Sequence, residues 1–250
     1  METMPIQLRI LGESVTVDIK PPAERMRLDE VLPALNSLQD AFAAVAIRRQ
    51  GAAITCTRGC SACCRIQAVP VSPAEAYAIL RLVESLAEPR QSEVRGRFAH
   101  CVARLGEAGL AERFLEGTRP ETQAQAKEEA QRYLDLQLAC PFLENDVCSI
   151  YEARPFTCRE YFVTTPKEWC SDPLNYPVKT VPAIVQAIEA NRITVQGILE
   201  HTAFNIPLTL ALVYAGTYRE ELERLYDGDE VVSRSIGDVY GVAARQGLLG

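Results

Sequence analysis

The chain has 250 residues, of which 48% are hydrophobic and 24% are charged, and its net charge is -7. This composition is ordinary for a globular protein with a sizeable core. The acidic balance argues against a general nucleic-acid binder, which needs a basic surface to neutralise phosphates. The longest apolar run, 206–215, is about half the length that spans a bilayer, and the first residues lack the pattern of a secretory signal. We therefore expect a cytoplasmic protein with neither nucleic-acid nor membrane partners.

The N-terminal part of the chain is predicted to be a β-hairpin. Apolar and polar residues alternate between Ile6 and Ile19, and the segment 11–14 can turn between the two halves. From Leu28 the apolar spacing becomes helical, and Gly51 is a typical helix end.

Most of the remaining chain is predicted to be helical. Ser72, Pro73 and Glu75 form a helix start with a capping box, and this helix should run to about Ala87. Further helical segments are predicted at 90–116, with breaks allowed at Gly106 and Gly109, and at 121–138, 182–200 and 207–226. The last twenty residues are weakly patterned. The fold class is therefore mainly α: a small N-terminal β-hairpin (1–22) followed by a single irregular helical domain with metal-organised loops (23–250).

Eight of the nine cysteines fall into two groups. The first cysteine group is Cys56, Cys60, Cys63 and Cys64, and the second cysteine group is Cys140, Cys148, Cys158 and Cys170. Disulfides rarely persist in the cytoplasm, and nine thiols cannot all pair, so the clustering points to a bound metal ion or an iron–sulfur cluster. Cys101 keeps the helical phase of Phe98 and Leu105 and is predicted to lie in the core. With eight thiols available, His100 and His201 are not expected to be ligands.

The adjacent pair Cys63 and Cys64 constrains the site. Neighbouring side chains leave the backbone in different directions, so it is awkward for both thiols to bind one metal atom in the same way. Either one thiol turns toward a second centre, or the two bind different metals in a polynuclear site. Eight thiols could form two four-coordinate sites or one cluster with spare cysteines. All-thiolate ligation with an adjacent pair slightly favours an iron–sulfur cluster over Zn2+.

A family signature runs through both cysteine groups. It comprises C-x3-C-x2-C-C at 56–64, Cys140 with Leu143, the stretch C-S-I-Y-E-A-R-P-F-T-C-R at 148–159, and Cys170. The segment 56–172 thereby resembles the YkgJ-like cysteine-cluster family of CxxCxxCC type, whose proposed property is chelation of zinc or iron. The resemblance implies that the eight cysteines hold the metal. It supplies no settled reaction.

Two arginines inside the signature are expected to support the centre. Several thiolates in one place accumulate negative charge, which nearby cations offset. We expect Arg154 and Arg159 to bond to the sulfurs or to the loop carbonyls around them.

Three functions are compatible with these features. The first is a metal-binding protein with a redox or iron-handling role. The second is S-adenosylmethionine-dependent protein lysine methylation, because the flagellin N-methylases look like relatives with a similar cysteine array. The absence of any Gly-x-Gly weakens a Rossmann-type version of this second function. The third is a structural zinc module that presents a protein-binding surface. The sequence identifies no catalytic residue and no protein partner.

Overall fold

The computed structural model describes residues 3–51, 53–65, 68–182, 184–199 and 205–249. These residues are mainly α-helical, as predicted. The helices are α1 (Leu32–Gln50), α2 (Pro73–Glu84), α3 (Arg90–Glu107), α4 (Ala111–Leu115), α5 (Gln123–Asp135), α6 (Phe156–Glu160), α7 (Ala187–Leu199), α8 (Ala211–Thr217), α9 (Arg219–Leu222) and α10 (Gly228–Arg245). None of the described helices is both long enough and apolar enough to cross a membrane.

The strands form four small antiparallel pairs within these residues. The pairs are β1 (Met4–Ile10) with β2 (Glu13–Ile19), β3 (Arg25–Met26) with β8 (Tyr226–Asp227), β4 (Pro70–Val71) with β7 (Ile206–Pro207), and β5 (Leu143–Glu144) with β6 (Val147–Cys148). The last three pairs are two residues long, so they fasten loops to one another rather than build a sheet.

The predicted N-terminal hairpin is confirmed. Ile6 pairs with Val17 and Leu8 pairs with Val15, and the chain reverses at Leu11 and Gly12. Gly12 has a φ of +82°, a left-handed conformation that glycine adopts without a steric penalty. The inner face of the hairpin is buried in one core with α1, α7 and α10, and consists of Leu8, Ile10, Val17 and Ile19.

The helix boundaries near the first cysteine group follow the predicted signals. Helix α1 ends at Gly51, which has a φ of +58°. At the start of α2, Ser72 Oγ accepts a hydrogen bond from the Glu75 N–H at 3.2 Å, and the Glu75 carboxylate accepts one from the Ser72 N–H at 2.8 Å. This is the predicted capping box. The cysteine-bearing segment between the two helices therefore has fixed ends.

The long excursion between the two cysteine groups packs as α3, α4 and α5. Gly109, with a φ of +65°, breaks the predicted helix into α3 and α4. Cys101 is 3% exposed in a small core with Leu105, Leu110 and Tyr133, so its predicted place in the core is confirmed.

One expectation for the C-terminal part is wrong, and a segment for which no element was predicted is helical. The predicted helix 207–226 is divided into α8 and α9 at Tyr218, and the weakly patterned end is the long helix α10. Asp227 caps α10 by accepting a hydrogen bond from the Glu230 N–H at 2.9 Å. Valines and glycines are poor helix formers, which hid the pattern. Packing of α10 against α7 and the hairpin core compensates for that weakness.

Candidate metal centre

Short loops carry the two cysteine groups. The first group lies between α1 and α2 and ends in a single 3-10 turn, Cys63–Arg65. In the second group, Cys140 lies just before the β5–β6 hairpin, Cys148 lies in β6, Cys158 lies in helix α6, and Cys170 lies in the 3-10 helix Lys167–Ser171. Cys140 and Cys148 pack against the core that contains Phe142 and Ile150. Irregular backbone of this kind can aim several side chains at one point.

Hydrogen bonds join the loops that carry the two groups. The Cys140 N–H donates to the carbonyl oxygen of Cys64 at 2.6 Å. On the other side of the site, the Thr55 N–H donates to the Val163 carbonyl at 2.9 Å, and the Val163 N–H donates to Cys56 Sγ at 3.1 Å. The structure therefore brings together cysteine groups that are far apart in sequence.

Seven of the eight clustered cysteines line one cavity of about 120 Å³. These are Cys56, Cys60, Cys63, Cys64, Cys148, Cys158 and Cys170. Cys140 instead lines a neighbouring cleft that also contains Cys101 and His100. His201 lies outside the described residues. That each of the eight cysteines is a ligand stays a prediction.

The cavity offers thiols as its donor set. The cysteines are present as thiols and not as disulfides. In the part of the chain that the structure describes, no group of three or more His, Cys, Asp or Glu side chains is closed into a geometry that could hold a metal ion. The cavity thiols surround one space. Their chemistry suits zinc, iron or an iron–sulfur cluster, all of which bind thiolates.

Burial holds several of these thiols in the protonated form. It raises the pKa of Cys140 to about 12 and the pKa of Cys158 well above its ordinary value. The Cys63 thiol donates a hydrogen bond to Cys64, which raises the pKa of Cys63 and lowers that of Cys64 to about 7. Thiols that are costly to ionise on their own become thiolates when a cation neutralises them. The cavity is therefore suited to a cation.

Arg154 faces the thiols. Its guanidinium stacks over the Tyr151 ring, 4.3 Å from the centroid, and its side chain lines the cysteine cavity. The hydrogen bond from Cys63 is the main reason for the low pKa of Cys64, and the positive charge of Arg154 lowers it further. Arg154 therefore favours thiolate over thiol.

Arg159 organises the loop instead. It is 9% exposed and donates to the carbonyl oxygens of Arg154, at 3.2 Å, and of Glu152. Its guanidinium also pairs with Asp40 at 3.0 Å. These bonds fix the backbone between Cys148 and Cys158 to helix α1.

Glu75 is a buried residue that supports the site, and the sequence predicted only its role in capping a helix. Besides capping α2, its carboxylate accepts a hydrogen bond from the Phe156 N–H at 2.7 Å, which fixes the start of α6. Gln39 holds the same segment by donating to the Phe156 carbonyl at 3.1 Å. The capping box predicted one partner of Glu75, but only the tertiary structure shows the second. Helix α6 carries Cys158, so both contacts position a candidate ligand.

Comparison with protein families identifies a match over residues 55–173. The matching family is CxxCxxCC, described as "Putative zinc- or iron-chelating domain". Comparisons with curated proteins and with solved structures give no match. The matched segment begins at Thr55, one residue before the first cysteine group, and ends just after Cys170, so it contains every cysteine of the two groups.

Proposed function

We propose that this chain, whose residues 55–173 match the CxxCxxCC family, binds zinc or iron through its eight clustered cysteines. The observation that carries the proposal is the cavity lined by seven of these thiols from both cysteine groups. Sulfur donors concentrated in one partly buried cavity, beside the cation Arg154, are the donor set that thiophilic metals select. The metal would supply the charge that turns buried thiols into thiolates.

Iron, as an iron–sulfur cluster, is the preferred occupant. The cavity wall contains seven cysteines and no histidine among the described residues. All-thiolate ligation is typical of iron–sulfur clusters, and a multinuclear centre also uses an adjacent pair such as Cys63 and Cys64. Zinc with four thiolates is the competing occupant.

Anaerobic purification followed by metal analysis and a visible spectrum tests this proposal. We expect stoichiometric metal, with charge-transfer absorption if iron and sulfide are present. Cys158→Ser should lower the metal content. Cys101→Ser is the matched control, because Cys101 is a buried cysteine that belongs to the core of α3 to α5. Equal metal content in all three proteins, at full folding, would contradict the proposal.

For the use of the bound metal, we propose a redox or iron-handling role. Support comes from Cys56, Cys60 and Cys64, which are partly exposed residues, so solvent reaches the edge of the site. A colourless protein with stoichiometric zinc and no redox change would contradict this role and favour the structural zinc module. Lysine methylation is tested by calorimetry with S-adenosylmethionine, and no binding heat from metal-replete protein would exclude it.

A further inference from the structure

We infer that the chain binds a zwitterionic amino acid with an apolar side chain in a second cavity, which shares Arg154 with the cysteine cavity. The second cavity has a volume of about 370 Å³ and lies between α1, α2 and the loop that leads into α6. It is roughly three times as large as the cysteine cavity, and its volume is typical of sites for small molecules. None of the clustered cysteines lines it, so the inference goes beyond metal binding.

The walls of the second cavity are largely apolar. Its apolar lining consists of Leu32 in α1, Ile79 and Leu82 in α2, and Pro155 and Phe156 at the start of α6. An apolar wall of this kind holds an organic side chain, and a small number of polar groups then fix the orientation of the ligand.

Two polar atoms on these walls are buried without a hydrogen-bond partner among the described residues. They are Oδ1 of Asn36, which is an acceptor, and Nε of Arg154, which is a donor. A buried polar group that stays unpaired destabilises a fold, so each such group needs a reason. An unpaired acceptor and an unpaired donor on the walls of one cavity indicate a ligand that supplies a partner to both.

The charged side chains of the second cavity have both signs. Arg81 and Arg154 are cations, and Asp29 and Glu75 bear carboxyl groups. Arg81 donates to one oxygen of Asp29 at 2.8 Å, and Arg27 pairs with the other oxygen at 3.0 Å. Arg81 therefore shares its carboxylate with a second arginine and keeps N–H donors for a ligand. A guanidinium binds a carboxylate through two parallel hydrogen bonds, and an ammonium group donates to amide and carboxylate oxygens. A zwitterion matches both halves of this lining.

Arg154 lies between the second cavity and the thiols. Its side chain lines both cavities, and its guanidinium stacks over the Tyr151 ring at 4.3 Å from the centroid. Stacking orients the guanidinium without using its N–H groups. A carboxylate bound to Arg154 would thus lie one side chain away from the cysteine cavity.

Calorimetry with the full chain as purified tests the inference, with L-leucine and L-phenylalanine as probes. Two analogues of leucine serve as controls: isocaproate lacks the amino group, and isopentylamine lacks the carboxylate. We expect an amino-acid probe to bind, and both analogues to bind at least about tenfold more weakly than leucine, because each loses one charge-assisted set of hydrogen bonds.

Variants of the unpaired groups test the location. Arg154→Met should weaken leucine binding at least about tenfold. Arg58→Met is the matched control, because Arg58 stacks over the same Tyr151 ring at 4.7 Å but lines only the cysteine cavity. Asn36→Leu should also weaken leucine binding, yet it should not lower the melting temperature, because it removes a buried acceptor that has no partner in the protein.

The outcomes are distinguishable. No binding of either amino acid overturns the inference, and so does equal binding of leucine and one of its analogues. Leucine affinity that is unchanged in both Arg154→Met and Asn36→Leu overturns the location. If Arg154→Met fails to fold by circular dichroism, Asn36→Leu decides. Metal analysis of the same samples reports separately on the proposed metal binding, because the amino acid is recognised without the cysteines.

Discussion

Replacement of Glu75 by glutamine tests how the fold positions helix α6. The carboxylate is 5% exposed and accepts hydrogen bonds from the Ser72 N–H at 2.8 Å and the Phe156 N–H at 2.7 Å. Burial raises the pKa of Glu75 from 4.5 to about 7. Between these two pH values the folded chain holds a proton that the unfolded chain has released.

The sign and size of the effect follow from this difference. A folded state that binds a proton more tightly loses stability as the pH rises. Over the window from about pH 4.5 to about pH 7, Glu75 should lower the free energy of unfolding by about 1.4 kcal/mol per pH unit, or roughly 3 kcal/mol in total. Glu75→Gln cannot titrate. Its NH2 group also faces one of the two backbone N–H donors, which costs about 1–3 kcal/mol.

The variant should therefore be less stable than the wild type at pH 5, and the difference should shrink or invert by pH 8. Urea denaturation of reduced, metal-free protein, followed by circular dichroism at several pH values, measures this gap. Glu128→Gln changes an exposed position of α5. Its free energy of unfolding should therefore depend on pH in the same way as that of the wild type. If the free energies of unfolding of Glu75→Gln and the wild type differed by the same amount at every pH, the reasoning would be refuted.

Three further predictions concern the loop, the thiols and a close backbone contact. In urea denaturation, Arg159→Met should lower the free energy of unfolding by about 2–4 kcal/mol, because it leaves two carbonyls and Asp40 without their partner. The control Arg58→Met removes a 72% exposed side chain and should show no comparable loss. Zinc affinity, measured by competition with a chromogenic chelator, should rise more than about tenfold per pH unit between pH 6 and 8, because burial keeps Cys140 and Cys158 protonated and binding must release more than one proton. A zinc affinity that is independent of pH would show that these thiols are not ligands. Gly228→Ala should lower the melting temperature, because its Cβ would lie 1.7 Å from the Ala23 carbonyl oxygen. In the control Gly237→Ala, in the same helix, the Cβ meets no atom within 4 Å, and the melting temperature should rise slightly.

Local signals in the sequence predicted much of the fold. The alternation at 6–19 and the capping box at Ser72 are decided by neighbouring residues, so both were found with their partners. Helix α10 was missed because its valines and glycines are weak helix formers, and its stability comes from contacts with α7 and the N-terminal hairpin. Such contacts cannot be read from a local window.

The candidate site was also predictable only in part. Residue type and spacing identified the eight cysteines and Arg154, which line or border the site. The partners of Arg159 and the second contact of Glu75 were not accessible, because Asp40 and Phe156 reach them only through the tertiary fold. The hydrogen bond that the Cys63 thiol donates to Cys64 likewise forms only in the folded loop.

The contact between Cys64 and Cys140 spans the whole excursion of α3 to α5, so a metal held by both residues would act as a cross-link. Closing a loop of about 75 residues in the unfolded chain removes entropy equivalent to roughly 4 kcal/mol. Contacts this distant in sequence also form late during folding. A newly made chain would therefore complete its ligand set only after the intervening helices had docked, and metal loading would then secure the finished tertiary structure.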